Sequence, residues 1–391
     1  MMPGGSARNA RYLPPQRPWW RRKQTQPRPP KTEPVTLGKP FASVLIDTYN
    51  HERFIEEAVV SVLEQDFPAS DREILVVDDG STDRTPEIVR KFEPRVRLLR
   101  KENGGQASAF NAGIPECSGE IVAFLDGDDW WESRKLGVVV NEFATYPEIG
   151  TVGHGLYEVD EQGRRLFVNV PDRRYSCRFS NLQEARQFVE LRSFLGTSRL
   201  AARRAVLVRV VPLPEALLVE ADEFLATLGT AFSGCIVLEQ PLTSYRLHSG
   251  NQFQFAEQDP RREQRRSASL DCLVNALPPL LSAAGVAPPI VESLALPNCI
   301  DSTRSRLALG RGWPWETVRV ERKAYCNAYK DASFGYRLFH AAVLAVACIT
   351  PPHLFYKARH WYSARHLARF RGYAGKPVPA DSLVIRKAWS P

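Results

Sequence analysis

The chain has no C-x-x-C pair, and its seven cysteines (Cys117, Cys177, Cys235, Cys272, Cys299, Cys326 and Cys348) are odd in number and widely spaced. That spacing offers neither a zinc motif nor a disulfide framework and suits a reduced, cytosolic setting. A secretory h-region is also lacking, because Arg and Pro interrupt every stretch before Phe41; no secretory leader is expected. The apolar run Ala341 to Ile349 is too short for a bilayer core of ~30 Å. Neither G-x-G-x-x-G after the first strand nor G-x-x-x-x-G-K-[ST] occurs, which argues against a dinucleotide oxidoreductase or a P-loop enzyme.

Positive charge is plentiful but confined. Residues 1–40 hold nine Lys/Arg against Glu33, and from Lys357 onward eight stand against Asp381, so of the formal +8 the chain between them carries −7. No nucleic-acid partner is expected from such a distribution, since the basic pI belongs to the two ends. Residues 1–40 read as a disordered, basic, Pro-rich tail.

From Phe41 strands and helices alternate: "FASVLID", "ERFIEEAVVSVLEQ", "EILVVDDG", "STDRTPEIVRKF", "VRLLR", "GQASAFNAGIPEC", "EIVAFLDGDD", "SRKLGVVVNEFATY" and "IGTVGHG". Ser81 or Thr82 is expected to cap the second helix, with Pro86 in its first turn. The alternation predicts an α/β fold with a doubly wound, mostly parallel sheet. Ligands of such sheets sit beyond the carboxyl ends of the strands. Asp47 to Asn50, Asp78 to Ser81, Asn103 to Gln106 and Asp126 to Asp129 all fall there, four polar segments on one edge. Further on, "ALLVEADEFLATLGTAF" reads as a helix and "CIVLEQPLTSYRLH" as two short strands; residues 155 to 200 give no clear pattern. After about Arg261 mixed helices with Pro breaks follow. The Ala341–Ile349 run and the aromatic, basic residues after it fit either an interfacial helix on anionic lipid or a buried helix.

The four segments also share a chemistry. Asp126, Asp128 and Asp129 at one strand end would repel one another unless a cation met them. Mg²⁺ and Mn²⁺ favour one or two carboxylates plus substrate phosphates, and an EF-hand loop is excluded by the missing glycine and terminal Glu spacing. Asp78 or Asp79 can accept from a pyrimidine imide N–H, the Tyr49 ring can lie on a base, and Asn103-Gly104-Gly105 allows close backbone approach.

"SVLIDTYNHERFIEEAVVSVLEQDF", "EILVVDDGSTDRT", "KENGGQASAFNAGI" and "GEIVAFLDGDDWW", in that order, resemble family 2 glycosyltransferases of the GT-A fold over about residues 41 to 250. The resemblance implies a Rossmann-like GT-A domain at 41–255 (nucleotide-sugar half 41–153, acceptor half 154–255) and a helical, possibly membrane-associated C-terminal region at 256–391. It implies inverting, hexosyltransferase-like transfer from a nucleotide-diphosphate sugar to a glycan or glycolipid hydroxyl, with divalent Mg or Mn, in cell-surface polysaccharide synthesis. The setting implied is the cytoplasm, peripherally at the inner face of the membrane. Thr48, Tyr49, Asn50, Glu52, Asp78, Asp79, Asn103, Gly105 and Asn111 would border the nucleotide sugar, Asp126 the ribose, and Asp128 the metal, with Asp129 beside it. Asp222 in "EADEFL" takes the place of the catalytic base, with Glu220 and Glu223 in contention because Ala221 replaces the usual Glu. "YRLH" resembles the family's closing motif, in which His248 would be a further metal or phosphate contact.

One departure is Phe110, where the family commonly has Arg before the Asn; Arg246 is a candidate replacement. Phe110 and Ala221 keep open a second reading, a non-catalytic GT-A domain that binds a nucleotide sugar or glycan as a regulator or scaffold. "FLDGDD" also resembles the D-x-D of haloacid-dehalogenase-like phosphatases, but those place the nucleophile on the first strand, and here three strands precede it.

Overall fold

A computed structural model describes residues 41–248, 250–251, 259–328, 334–362 and 375–377; the expected tail at residues 1–40 lies outside them. Four strands form the parallel part of one mixed sheet: β1 (Ala42–Thr48), β2 (Arg72–Asp78), β3 (Arg97–Arg100) and β4 (Ile121–Asp126), in the order β3-β2-β1-β4. Their carboxyl ends are level, because Thr48 pairs with Asp78 and Asp47 with Asp126. The buried alternation of each strand feeds two cores. Leu45, Leu75 and Phe124 face one, and Val44, Ile46, Val76 and Leu125 face the other, the period-2 consequence of a sheet covered on both sides.

The second core is closed by α1 (Ile55–Leu63), α2 (Thr85–Arg90) and α4 (Lys135–Thr145). The first is closed by α3 (Gln106–Gly113), α5 (Leu182–Leu191), α7 (Ala221–Ser233), α8 (Pro260–Ala283) and α9 (Pro288–Ala308). Leu270, Leu273 and Leu294 thus share a core with Phe224 and Phe110, so the first two helices beyond residue 256 are built into the α/β unit. A short helix, α6 (Arg204–Leu207), and three further helices, α10 (Pro314–Ala328), α11 (Phe334–Ile349) and α12 (Pro352–Tyr362), complete the α-helices among the described residues. The buried alternative for residues 341–349 does not hold, because most of α11 is exposed.

The sheet turns antiparallel after β4. Short β9 (Ala201–Arg203) joins β4 to β6 (Thr151–Val159), and β10 (Cys235–Arg246) runs parallel to β6. β5 (Trp130–Trp131) and β8 (Tyr175–Cys177) pair with β10, while β7 (Arg165–Asn169) pairs with β6 and with β11 (Gly375–Pro377). β10 is one strand rather than the two expected: Pro241 has no N–H to give the ladder, and the register shifts on either side of it instead of the strand ending. The expected cap of α2 is also different. Its N-cap is Arg84, with Pro86 in the first turn, because the Ser81 hydroxyl is taken by the Asn50 N–H at 2.9 Å.

Candidate active site

A cavity of about 580 Å³ opens at the level carboxyl ends of the strands, within the range of small-molecule sites. Thr48, Tyr49, Asp79, Asn103, Gly105, Asp126 and Asp128 line it, as do Glu220, Asp222 and Glu223 from the far side. Asn50, Glu52, Asp78 and Asn111 are not among its lining residues; each holds the frame around it. Asn50, at φ 57°, accepts the Thr82 N–H. Glu52 pairs with Arg84, and buried Asp78 takes the Ser81 N–H and Arg100 Nε. Asn111 clamps the Leu213 backbone through both N–H and C=O.

Asp79 shapes the nucleotide side. Its carboxylate accepts the Gly105 N–H at 2.7 Å, the Gly104 N–H at 3.0 Å and Lys101 Nζ at 2.7 Å, folding the glycine loop over the strand ends. Gly105 has φ +84°, and a Cβ there would lie 2.9 Å from Leu218 Cα, so only glycine fits without strain. Gly127 is under similar pressure inside the D-x-D turn, where a Cβ would meet Thr48 Oγ1 at 2.5 Å.

Around that turn four carboxylates crowd together. Burial and the neighbouring Asp128 push Asp47 up, and burial with Asp47 and Asp128 pushes Asp126 up. Burial and Asp128 raise Asp129 to about 7. For Asp128 burial acts upward too, but His51 and His248 outweigh it and hold the carboxyl below its usual range. His248 Nε2 lies 2.9 Å and His51 Nε2 3.8 Å from Asp128 Oδ2. Asp129 turns back into the protein, where Oδ1 accepts the Arg246 N–H at 2.9 Å, and it is not a lining residue.

Among the described residues no three His, Cys, Asp or Glu side chains converge as a ready-made metal site. The donor set nevertheless fits a hard cation that takes the rest of its shell from phosphate and water. Asp128 offers a carboxylate beside His248, and Asp47 Oδ1 is buried with no hydrogen-bond partner; a missing positive charge explains both this and the raised neighbours.

On the opposite wall three acids open α7, and their partners separate them. Glu220 pairs with Arg266 at 3.3 Å, and Glu223 with Arg192 at 3.0 Å and Asn298 at 2.7 Å. Asp222 is held by neutral donors: Thr197 gives its Oδ2 an N–H at 2.8 Å and an O–H at 3.1 Å. Gln106, next to the glycine loop, donates to Thr197 Oγ1 and accepts the Ala221 N–H, each at 2.9 Å. A single hydrogen-bonded chain therefore links the loop gripped by Asp79 to Asp222.

The Gly196–Arg199 turn is the part sequence reasoning missed. The Ser198 hydroxyl donates to Asp126 Oδ2 at 3.1 Å and accepts the Asp126 N–H at 3.0 Å. Its carbonyl collects three donors, Lys135 Nζ at 2.7 Å, Trp131 Nε1 at 3.2 Å and Thr243 Oγ1 at 2.6 Å. Lys135 is fully buried, with its ammonium 3.6 Å from the Trp131 ring centroid, and the second tryptophan of "WW" thereby serves as a floor under the carboxylates. Arg199 lines the cavity next to this turn, and its Nε is buried without a partner.

Arg246 does not fill the place left by the missing Arg. Its guanidinium reaches the Asp128 and Glu161 carbonyls and Glu57, packed between Phe54 and Trp130. Phe110 is buried against Phe124, ring centroids 5.1 Å apart, and Ala221 is equally buried. Both departures therefore lie in packing rather than on the cavity surface. Phe110→Arg is expected to destabilise the fold by at least about 3 kcal/mol, by loss of the ring and burial of an unpaired charge; a melting curve checks it.

Comparison with known proteins identifies the family. Residues 43–207 match the model of glycosyl transferase family 2. An uncharacterized glycosyltransferase of Nostoc sp. is 34% identical over 236 residues, 58% of this chain and 70% of that protein. The glycosyltransferase EpsJ of Bacillus subtilis is 37% identical over 132 residues, 33% of this chain and 37% of its own length. Among solved structures, the mannosyltransferase PcManGT of Pyrobaculum calidifontis, in complex with GDP-Man and Mn²⁺, aligns with 86% of this chain and 91% of its own, at 22% identity and a TM-score of 0.48. On the strength of the family match and the extent of the Nostoc relative, the chain belongs to glycosyltransferase family 2.

Proposed function

We propose that the cavity takes a nucleoside-diphosphate sugar and moves the sugar, with inversion, to a hydroxyl of a glycan or glycolipid in cell-surface polysaccharide synthesis. The acceptor would be met on the cytoplasmic side of a membrane that the C-terminal region touches peripherally. The observation that carries this reading is the pairing across one cavity of carboxylates short of a cation with a carboxylate, Asp222, whose own partners are neutral. The first suits a diphosphate bound with a metal, the second a general base.

In this reading Thr48 and Tyr49 border the base, Asp79 and the loop from Asn103 to Gly105 close over the nucleoside, and Asp126 faces the ribose. A divalent cation, Mg²⁺ or Mn²⁺, held by Asp128 and His248 would supply positive charge to the leaving diphosphate. Asp222 removes the proton of the acceptor hydroxyl as its oxygen attacks the anomeric carbon. The bond from that carbon to the diphosphate oxygen breaks on the opposite face, which inverts the centre. Thr197 and Gln106 fix the carboxylate in place. Arg199 contacts the diphosphate and does the work that an Arg at position 110 does elsewhere; a partly buried guanidinium without an acidic partner is suited to an anionic ligand.

A thermal-shift panel of UDP-, GDP-, dTDP- and CMP-sugars, with and without Mn²⁺, tests the reading. One nucleotide should raise the melting temperature only with metal; no response to any of them would favour a non-catalytic domain. For the nucleotide so found, Arg199→Met should weaken the diphosphate at least about tenfold, the worth of one charge-assisted hydrogen bond, and leave the monophosphate of the same base unchanged. Equal loss of both would remove Arg199 from the diphosphate.

A further inference from the structure

α11 breaks the usual rule for an exposed helix, which turns its apolar stripe inward and its polar face to water. α11 packs through His340, Val343, Leu344 and Ala347, with the His340 ring stacked on Tyr325 at 3.9 Å. Its outward side is apolar as well: Phe334 is 82% exposed, Leu338 64%, Phe339 54%, Val346 52% and Ile349 84%. Trp313 and Trp315, 68% and 60% exposed, stand at the start of α10. α10 and α11 are neighbours, with Tyr325 of one stacked on His340 of the other. Contiguous apolar exposure of this kind marks a surface that something covers.

Charge identifies what covers it. Among the described residues from Arg311 to Arg359 no acid is exposed: Glu321 is enclosed by Arg304 and Arg359, and Glu316 pairs with Arg306. Arg319, Arg322, Lys323, Arg337 and Lys357 are exposed. A second copy of this face would bring like charges together. The chain's own ends are basic too, nine Lys/Arg against one acid at residues 1–40 and eight against one from Lys357, so they are poor covers. An anionic surface that also accepts apolar and aromatic side chains satisfies both halves of the pattern.

We infer that α10–α12 form a docking face for an anionic lipid bilayer, with α11 lying in the plane of the interface, its Phe334–Ile349 side inserted, and the flanking cations on the headgroups. This deepens the peripheral-membrane part of the proposed function and is independent of its chemistry. Among the described residues no helix is long and apolar enough to cross a membrane, and an in-plane helix needs no such length.

The test is co-sedimentation of the full chain with phosphatidylcholine vesicles, with and without added phosphatidylglycerol. Binding should appear with phosphatidylglycerol and fall as salt rises. Leu338→Glu with Ile349→Glu should lower it at least about tenfold, and Arg322→Glu with Lys323→Glu by a similar factor. All four side chains are exposed, so the melting temperature should not move. Absence of pelleting with either lipid, or pelleting that both double variants retain, overturns the inference. So does a dimer by light scattering that Leu338→Glu with Ile349→Glu dissociates, since a second copy would then be the cover. A chain that pellets as expected yet binds no nucleotide would leave this inference standing and sink the proposed chemistry.

Discussion

Asp222→Asn is expected to lower the turnover of sugar transfer about 10³-fold, the usual contribution of a general base, and to leave nucleotide affinity within about a factor of two. Asparagine is isosteric and its amide oxygen can still accept the Thr197 N–H that Asp222 accepts at 2.8 Å; the change removes the charge and not the geometry. The proposed donor contacts, Asp79, Asp126 and Asp128, are other lining residues of the same cavity, so affinity reports on side chains that the substitution leaves in place. Glu220→Gln and Glu223→Gln are the comparisons that make the result specific. Each of those acids is tied to a guanidinium, Arg266 or Arg192, while burial still raises Glu220 to about 7, which makes Glu220→Gln the stricter comparison. Single-turnover rates and nucleotide titrations of all three variants decide the matter. Equal loss of binding and transfer in Asp222→Asn, or an equal loss of transfer in Glu223→Gln, would overturn the assignment of the base.

The parallel half of the fold was legible because its strands are apolar on both faces and end abruptly in polar residues. "FASVLID" and "EIVAFLDGDD" announce both a strand and the place where a ligand sits. The acceptor side was legible at α7, where periodicity is strong, and hardly at all between residues 155 and 200. Thr197, Ser198 and Arg199 sit in a turn with no period, and what makes Ser198 important is a carbonyl that meets Lys135, Trp131 and Thr243 from three distant places. No local pattern records such a convergence. Lys135 shows the same limit: on paper it begins a helix as an ordinary surface lysine, and only the tertiary structure buries it. Pro241 misled in the other direction, since it reads as a strand end whereas β10 absorbs it as an irregularity. Asn50, Glu52, Asp78 and Asn111 belong to the motifs, yet a motif does not distinguish a side chain that lines a cavity from one that ties the loop behind it.

Asp128→Ala is expected to remove the dependence of nucleotide binding on Mn²⁺ and to lower transfer by roughly 10³-fold, the scale at which loss of electrostatic stabilisation of a leaving group is felt. It takes away the carboxylate that faces both His51 and His248, so a divalent ion loses its anionic ligand while the protein frame, built on Asp78, Asp79 and Ser198, remains. Asp126→Asn gives the complementary sign. Asp126 has its carboxyl raised by burial and then by Asp47 and Asp128. A carboxyl raised in the folded state is ionised more readily in the unfolded chain, so its contribution to stability falls as pH rises from its ordinary range towards the raised value. Without metal, Asp126→Asn should therefore raise the melting temperature more at pH 8 than at pH 5, relative to the wild type at the same pH. With Mn²⁺ and nucleotide the order should reverse, because the cation that relieves the repulsion in the wild type has less charge to meet in the variant. Such a crossing is what a site assembled for ligand at a cost to the empty fold predicts. Parallel melting curves for Asp126→Asn and wild type under all four conditions would show instead that the carboxylates are already balanced within the protein, and the metal would lose its place in the mechanism.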